Sequence, residues 1–156
     1  MKENESGSKT FKTGHIGLNV NNIERAKAFY EGIFNLKIMK EGQEQGRQFV
    51  FLGDGSAKPM LTLWQQSSKP FEHDKAGLHH LSFEVPSMDA VRTFEKRLKN
   101  HAVPFIYEGI VPHAEGPASG GIFFEDPDGI RLEIYATSGA EGACAPTAGT
   151  PSCGFF

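Results

Sequence analysis

The chain repeats itself, because two similar segments that each begin with a histidine lie 65 residues apart. The first segment, residues 15–20, reads HIGLNV, and the second, residues 80–85, reads HLSFEV. The same shift places Phe29 on Phe94, so the similarity continues beyond the histidine segments. Self-similarity at a fixed spacing indicates one structural unit that is used twice. The sequence therefore predicts two modules of the same fold within one chain.

The first module begins with a strand and a helix. Alternating apolar residues predict a strand over about 12–20, and Asn21 followed by Glu24 is typical of a capped helix N-terminus. The helix has an apolar stripe with a period suited to packing on a sheet, formed by Ile23, Ala26, Tyr30 and Ile33. Three short strands are predicted after it, over 37–43, 48–52 and 60–65.

The second module follows the same order. A strand is predicted over 78–85, followed by a helix that is capped by Ser87. The stripe of this helix consists of Val91, Phe94 and Leu98. Three more strands are predicted over 104–110, 122–125 and 131–135. The order βαβββ, found twice, predicts an α+β fold whose two modules form a curved, half-barrel-like mixed sheet.

The boundaries of this fold follow from composition. A flexible N-terminus over 1–11 and a low-complexity tail over 138–156 flank a single domain over 12–137. Within the domain, module 1 covers about 12–66 and module 2 about 77–137. The tail is rich in Ala, Gly, Thr, Pro and Ser, a composition that cannot bury much surface. Its two cysteines fit no standard zinc motif.

The charge and hydropathy of the chain exclude several classes of partner. A net charge of −3 gives no electrostatic basis for binding nucleic acid or an anionic membrane surface. No apolar run approaches the length that spans a bilayer. The N-terminus lacks the apolar core of a secretory signal, so we expect a cytoplasmic protein that acts on a small molecule.

Three polar residues occupy the same kind of position on three predicted strands. Side chains alternate between the faces of a strand, so His15, His80 and Glu133 all point away from the apolar core face. His79 has the opposite parity, which favours His80. Two imidazoles and one carboxylate, with open positions beside them, form the ligand set of non-haem Fe(II) oxygenases and also suit Mn, Ni or Zn. The sequence predicts a divalent-metal site, with Fe(II) favoured; the alternative is three surface polar residues.

These segments resemble the vicinal-oxygen-chelate superfamily, which includes glyoxalase I, fosfomycin- and bleomycin-resistance proteins and type I extradiol dioxygenases. The resemblance covers about 13–136, and the segments that carry it are 14–20, 28–31, 80–85, 126–129 and 132–134. It implies a sheet that wraps around a metal, His15, His80 and Glu133 as the ligands, and pairing of modules within a homodimer. The chain can also pair its two modules with each other.

The sequence differs from the motifs of several enzymes in this superfamily, and these differences reduce the number of activities to consider. Glyoxalase I has a fourth ligand, a carboxylate, at a position matched here by Thr62. Bleomycin-resistance proteins lack the metal ligands that this chain retains. The extradiol signature has a tyrosine where this chain has Phe123. The sequence favours an extradiol-dioxygenase-like oxidoreductase for a small aromatic or vicinal-oxygen substrate. The alternatives are a glyoxalase-type lyase, isomerase or thiol transferase, and a non-enzymatic binding protein.

Further residues are candidates for the same site. His113 lies in a loop before the seventh predicted strand and can serve as a general acid–base or can simply be solvated. Thr62, Trp64 and Tyr135 share the parity of the ligand face and are candidates for substrate binding. For the two aromatic residues, the alternative is ordinary packing.

Overall fold

The protein consists of two βαβββ modules, as expected from the repeat. A computed structural model describes residues 12–114, 117–146 and 149–152, so the predicted N-terminal segment 1–11 and the end of the tail lie outside the described residues. The first module contains β1 Ile16–Val20, α1 Ile23–Phe34, β2 Lys37–Glu44, β3 Arg47–Gly53 and β4 Leu61–Gln65. The second contains β5 Leu81–Glu84, α2 Met88–Asn100, β6 Val111–Pro112, β7 Gly120–Glu125 and β8 Arg131–Ala136.

Each module forms its own open, four-stranded mixed sheet. The strand order is β1-β4-β3-β2 in the first sheet and β5-β8-β7-β6 in the second. β1 runs parallel to β4 and β5 runs parallel to β8, while the other pairs are antiparallel. The predicted α+β class with mixed sheets is therefore confirmed, and the two modules share one topology.

The helices form where the apolar stripes predict them. The buried residues of α1 are Ile23, Ala26, Tyr30 and Ile33, which is the predicted stripe. The cap lies one residue later than predicted, because Asn22 accepts a hydrogen bond from the Arg25 amide while the Asn21 amide donates to Asp128. Ser87 caps α2 as predicted, by accepting from the Ala90 amide. Neither described helix has the length and apolar composition needed to cross a membrane.

The sixth strand differs from the prediction. Residues 104–110 do not form a continuous strand; Phe105 makes only an isolated bridge with Phe124. Gly109 has a φ of +70°, in the left-handed region, which turns the backbone out of the extended conformation. The strand therefore begins after this turn, and β6 is a short segment that pairs with the start of β7.

The turn between β7 and β8 joins the two modules. The Tyr30 hydroxyl on α1 donates to Asp126 Oδ2 at 2.9 Å, and Arg25 pairs with Asp128 Oδ1 at 2.7 Å. Asp126 Oδ1 accepts from the amides of Asp128 and Ile130, both at 2.9 Å. Burial raises the pKa of Asp126 to about 6, although these hydrogen bonds oppose that shift. The turn that precedes β8 thus fixes one module on the other.

The helices lie on the same side of their sheets as the apolar core. α1 contacts β3 and β4, α2 contacts β7 and β8, and the two helices contact each other. Residues of both sheets and both helices belong to one continuous core cluster. The opposite faces of the two sheets, which carry Thr62 and Glu133, are turned away from this core.

Candidate metal centre

The strand register shows which residues occupy equivalent positions in the two sheets. Glu133 on β8 lies beside Ser82 on β5, two residues after His80. In the first sheet, Thr62 on β4 lies beside Gly17 on β1, two residues after His15. Thr62 is therefore the structural counterpart of Glu133, as the sequence repeat suggested. Only the second module offers a carboxylate at this position.

Glu133 is a buried carboxylate, only 2% exposed, on the face of β8 opposite Leu132 and Ile134. The Ser82 hydroxyl donates to its Oε2 at 2.7 Å, and His113 Nε2 lies 2.5 Å from its Oε1. His80 Nε2 lies 3.8 Å from Oε2. A charge this deeply buried requires partners, and here it has a hydroxyl and imidazoles. This is the donor chemistry that divalent transition metals bind.

His80 directly precedes β5 and faces Glu133 across the β5–β8 pair. Burial lowers the pKa of His80, with the neighbouring Glu133 charge opposing the shift. A lowered pKa favours the neutral imidazole, which is the metal-binding form. The neighbouring His79 places its Nδ1 2.8 Å from His80 Nδ1. The choice of His80 over His79 as a ligand stays a prediction from strand parity.

His113 is not a solvated loop residue, although that was one of the two interpretations of the sequence. Its ring contacts Glu133 through Nε2 and Ser119 Oγ through Nδ1, the latter at 2.9 Å. Its amide donates to the Ser119 carbonyl at 3.0 Å, across the turn between β6 and β7. His113 therefore presents Nε2 to the carboxylate with its other ring nitrogen occupied.

His15 is not brought to this cluster. It is exposed and precedes β1, on the sheet of the other module. Within the described parts of the chain, no three His, Cys, Asp or Glu side chains form a group that could hold a metal ion. Within one chain, His80 and Glu133 therefore lie together in the second module, while His15, the third predicted ligand, lies in the first.

The ligand-side face of the first sheet is aromatic. The Trp64 ring lies 5.4 Å from the Phe49 ring and 6.0 Å from the Phe51 ring, and all three are half-buried. Trp64 Nε1 donates to the hydroxyl of Thr62 at 3.2 Å, which fixes the indole on the sheet. Lys40 Nζ lies 5.8 Å from the centre of the Phe49 ring. We call Phe49, Phe51 and Trp64 the aromatic face.

Tyr135 lies at the other end of the candidate residues, on β8. Its ring is 5.1 Å from the His113 ring, and its hydroxyl donates to Glu84 at 2.8 Å. That hydrogen bond raises the pKa of Tyr135. Tyr135 thus lies beside the Glu133 cluster, whereas Thr62 and Trp64 belong to the other sheet.

Sequence reasoning missed several residues of these two surfaces. Ser82 and Ser119 hold the carboxylate and His113, and Phe49 and Phe51 complete the aromatic face. The signal for Ser82 and the two phenylalanines was strand parity, because Phe49 and Phe51 alternate with the buried Val50 and Leu52. Nothing in the pattern around Ser119 indicates that it contacts His113.

Comparison with known proteins finds one matching family model and related sequences. A family model for the Glyoxalase/Bleomycin resistance protein/Dioxygenase superfamily matches residues 12–134. A catechol-2,3-dioxygenase of Bacillus subtilis is 25% identical over 125 residues, which are 79% of this chain and 40% of that protein. The chain thus spans less than half of this relative's length.

Solved structures show the same fold. A glyoxylase/bleomycin resistance protein/dioxygenase domain from Frankia aligns with a TM-score of 0.71 and 23% identity, covering 81% of this chain and 98% of that one. A mutant of the fosfomycin resistance protein FosX from Listeria monocytogenes, in complex with Mn(II), aligns with a TM-score of 0.60 and 20% identity. That alignment covers 80% of this chain and 90% of FosX.

Proposed function

The chain belongs to the glyoxalase/bleomycin resistance protein/dioxygenase superfamily, and from this we propose that it is a metal-dependent enzyme. The observation that carries the proposal is the buried Glu133 carboxylate, which His80 and His113 approach from two sides. His80 and Glu133 supply two of the ligands, and their chemistry fits a divalent transition metal. Bound there, the ion supplies Lewis-acid activation of a substrate oxygen.

The third ligand in this proposal is His15 of the partner subunit in a homodimer. His15 is exposed at the start of β1, and the described residues of one chain do not form a complete site. The faces that carry His15 and Glu133 are turned away from the core that joins the modules. A second copy, related by two-fold symmetry, brings first and second modules together at two equivalent sites.

The reaction that we propose is dioxygenase-like, on a small aromatic or vicinal-oxygen substrate. The similarity to a catechol-2,3-dioxygenase supports this class, and so does Thr62, because the first module then offers no carboxylate as a fourth ligand at this position. Fe(II) is the favoured metal, and the Mn(II) complex of FosX supports a divalent ion in this fold family. Mn, Ni and Zn are the alternatives, in keeping with a glyoxalase-type lyase or isomerase.

His113 has the role of proton carrier in this proposal. Its Nε2 faces Glu133 while Ser119 holds Nδ1, so a proton exchanged with a substrate hydroxyl is held at Nε2. In the dimer, the aromatic face of the partner subunit borders the site. Trp64, held by Thr62, then offers a stacking surface for an aromatic ring, and Tyr135 contributes its ring beside His113.

The test begins with metal content. We expect the protein, reconstituted without oxygen, to bind one divalent ion per chain and then to consume oxygen with a panel of catechols when Fe(II) is bound. His80→Ala should abolish both metal binding and oxygen consumption. His79→Ala is the matched control and should still bind the metal. Wild-type protein that binds no divalent ion would contradict the enzyme proposal. Turnover of methylglyoxal with a thiol under Ni(II) or Zn(II), without oxygen uptake, would replace the dioxygenase with a glyoxalase-type activity.

A second measurement tests the aromatic face. Trp64→Ala should weaken binding of an aromatic inhibitor such as a nitrocatechol by about fivefold or more, because a stacked ring contributes about 1 kcal/mol beyond its area. Trp64→Phe retains a ring and should bind nearly as well as wild type. Equal loss in both variants would mean that the indole acts only through its hydrogen bond to Thr62.

A further inference from the structure

The segment after β8 folds back onto the candidate site. It lies beyond residues 12–134, the region that the family model matches. Although most of its described residues are exposed, Ala140 and Ser152 are each only 4% exposed. The Ala140 amide donates to the Ala118 carbonyl at 2.8 Å, and the Ser152 amide donates to the His113 carbonyl at 2.8 Å. The tail thus contacts both arms of the β6–β7 hairpin.

The hairpin is shaped to receive the tail. A Cβ atom at Gly120 would lie 2.7 Å from the Ala140 side chain and 2.6 Å from the Val111 carbonyl. Real Cβ atoms do not approach other atoms this closely, so the tail crosses the hairpin where a side chain is absent. This close approach shows that Ala140 is packed on β7 rather than lying loosely over it.

Among the described residues of the tail, Ser152 makes hydrogen bonds through its side chain, its amide and its carbonyl. Its hydroxyl donates to the Pro112 carbonyl at 2.5 Å, in addition to the amide bond to His113. Its own carbonyl accepts from the Tyr107 hydroxyl at 3.0 Å. The Tyr107 ring packs edge-on against Phe123, at 5.4 Å, and Phe123 is the cross-strand partner of Glu133. Ser152 therefore contacts the backbone at 112 and 113 directly, and it contacts the strand beside Glu133 through Tyr107.

The hairpin needs such support because its own ladder is short. β6 has only two residues, and one of them, Pro112, has no amide hydrogen to donate. His113 follows directly and is linked to the other arm only through Ser119 among the hydrogen bonds described above. Without the tail, the two carbonyls at 112 and 113 would lose their buried partners.

We propose that Ser152 is a positioning residue that holds His113 against Glu133. It acts through the backbone at 112 and 113 and does not touch the reacting atoms itself. Its importance for turnover rests on the proposed function of His113, whereas its effect on the position of the imidazole does not. The tail is then part of the site, although it lies outside the region shared with the family.

The position of the imidazole can be measured without any substrate. Long-range 1H–15N NMR spectra of the protein report the tautomer of each histidine, and His113→Gln identifies the His113 signals. In wild type we expect one set of His113 signals with the proton on Nε2. Ser152→Ala removes the hydroxyl bond, and Ser152→Pro removes both the hydroxyl and the amide bond. The His113 signals should shift or broaden slightly in the first variant and strongly in the second.

Cys144→Ser is the matched control, since Cys144 is an exposed residue of the same tail. It should leave the His113 signals unchanged, and circular dichroism should show that all variants are folded. Unchanged His113 signals in Ser152→Pro would overturn the proposal. If wild type shows turnover, Ser152→Pro should lower kcat by about tenfold with little change in KM. If wild type shows none, the proposed function fails, while the NMR comparison still decides the role of Ser152.

Discussion

Thr62 occupies in the first sheet the position that Glu133 occupies in the second. Each is paired in parallel register with a residue two positions after a module's leading histidine, Gly17 in one case and Ser82 in the other. The two modules therefore share the same backbone arrangement at this position, but one has a hydroxyl and the other a carboxylate. The hydroxyl of Thr62 accepts from Trp64, whereas the carboxylate of Glu133 faces two histidines.

This difference predicts different effects of two substitutions on metal affinity. Glu133→Gln keeps the shape of the side chain but removes its charge, and it should weaken binding of Mn(II) or Fe(II) by on the order of 100-fold or more, since changes even outside the ligand shell cost about 10–100-fold. Thr62→Val should leave the affinity unchanged. Competition with a fluorescent chelator measures both values. A matching loss in Thr62→Val would show that the threonine is itself a ligand.

Mixing two inactive variants tests whether the site lies between subunits. His15→Ala and Glu133→Gln each remove a ligand from every site of their own homodimer. After subunit exchange, each mixed dimer has one intact site, so equal amounts should recover about a quarter of the wild-type metal content.

The controls for this experiment are the two variants kept apart and a mixture of Glu133→Gln with His80→Ala. Those two substitutions lie on the same module, so their mixture should recover no intact site. Recovery in neither mixture, with dimers shown by light scattering to exchange, would place all three ligands within one chain.

The pKa of Asp126 predicts how stability depends on pH. Burial raises this pKa from 3.8 to about 6, so the folded state favours the protonated carboxyl. The contribution is fully present below the unfolded pKa and is lost as the pH rises through about 6. The free energy of unfolding should therefore gain about 2 kcal/mol from this group between about pH 7 and pH 4.5. Chemical denaturation at the two pH values measures it.

Asp126→Asn provides the reference, because its side chain does not titrate. The difference in stability between wild type and this variant should change with pH by the same amount. If the two proteins show parallel pH profiles, then the carboxyl is ionised at both pH values and its hydrogen bonds outweigh its burial.

The hydroxyl of Tyr30 should matter more for stability than that of Tyr135. Tyr30 is fully buried and donates to Asp126, whereas Tyr135 donates to an exposed Glu84. Tyr30→Phe should cost about 1–2 kcal/mol, because a buried acceptor loses its partner. Tyr135→Phe is the matched control and should cost less than about 0.5 kcal/mol. Equal costs, measured by urea denaturation, would argue against the Asp126 turn as the joint between the modules.

Much of the fold could be predicted from local patterns. The stripe of α1 and the alternation on β1 follow the burial of their residues, so periodicity finds them. The proximity of His80 to Glu133 follows from the register of neighbouring strands within one module. The late start of β6 has a local cause that a propensity pattern does not show, the left-handed Gly109. The position of the cap depends instead on a distant contact, because the Asn21 amide donates to Asp128.

The remainder depends on contacts between distant parts of the chain. The parity of His15 is readable from β1, but where that face points depends on how the modules pack. The tail illustrates the same point, since its composition indicates little burial, yet Ser152 reaches Pro112, 40 residues away. Such a contact depends on the backbone conformation at both ends, which side-chain patterning does not describe.

The shared core also has a consequence for a module on its own. Phe34 at the end of α1 packs against Phe83 of the second module, with ring centres 4.6 Å apart, and lies 6.4 Å from the Phe124 ring. A chain with a single module would leave this aromatic surface uncovered in water. A chain of half this length would therefore need a second copy of itself, or another partner, to cover this surface.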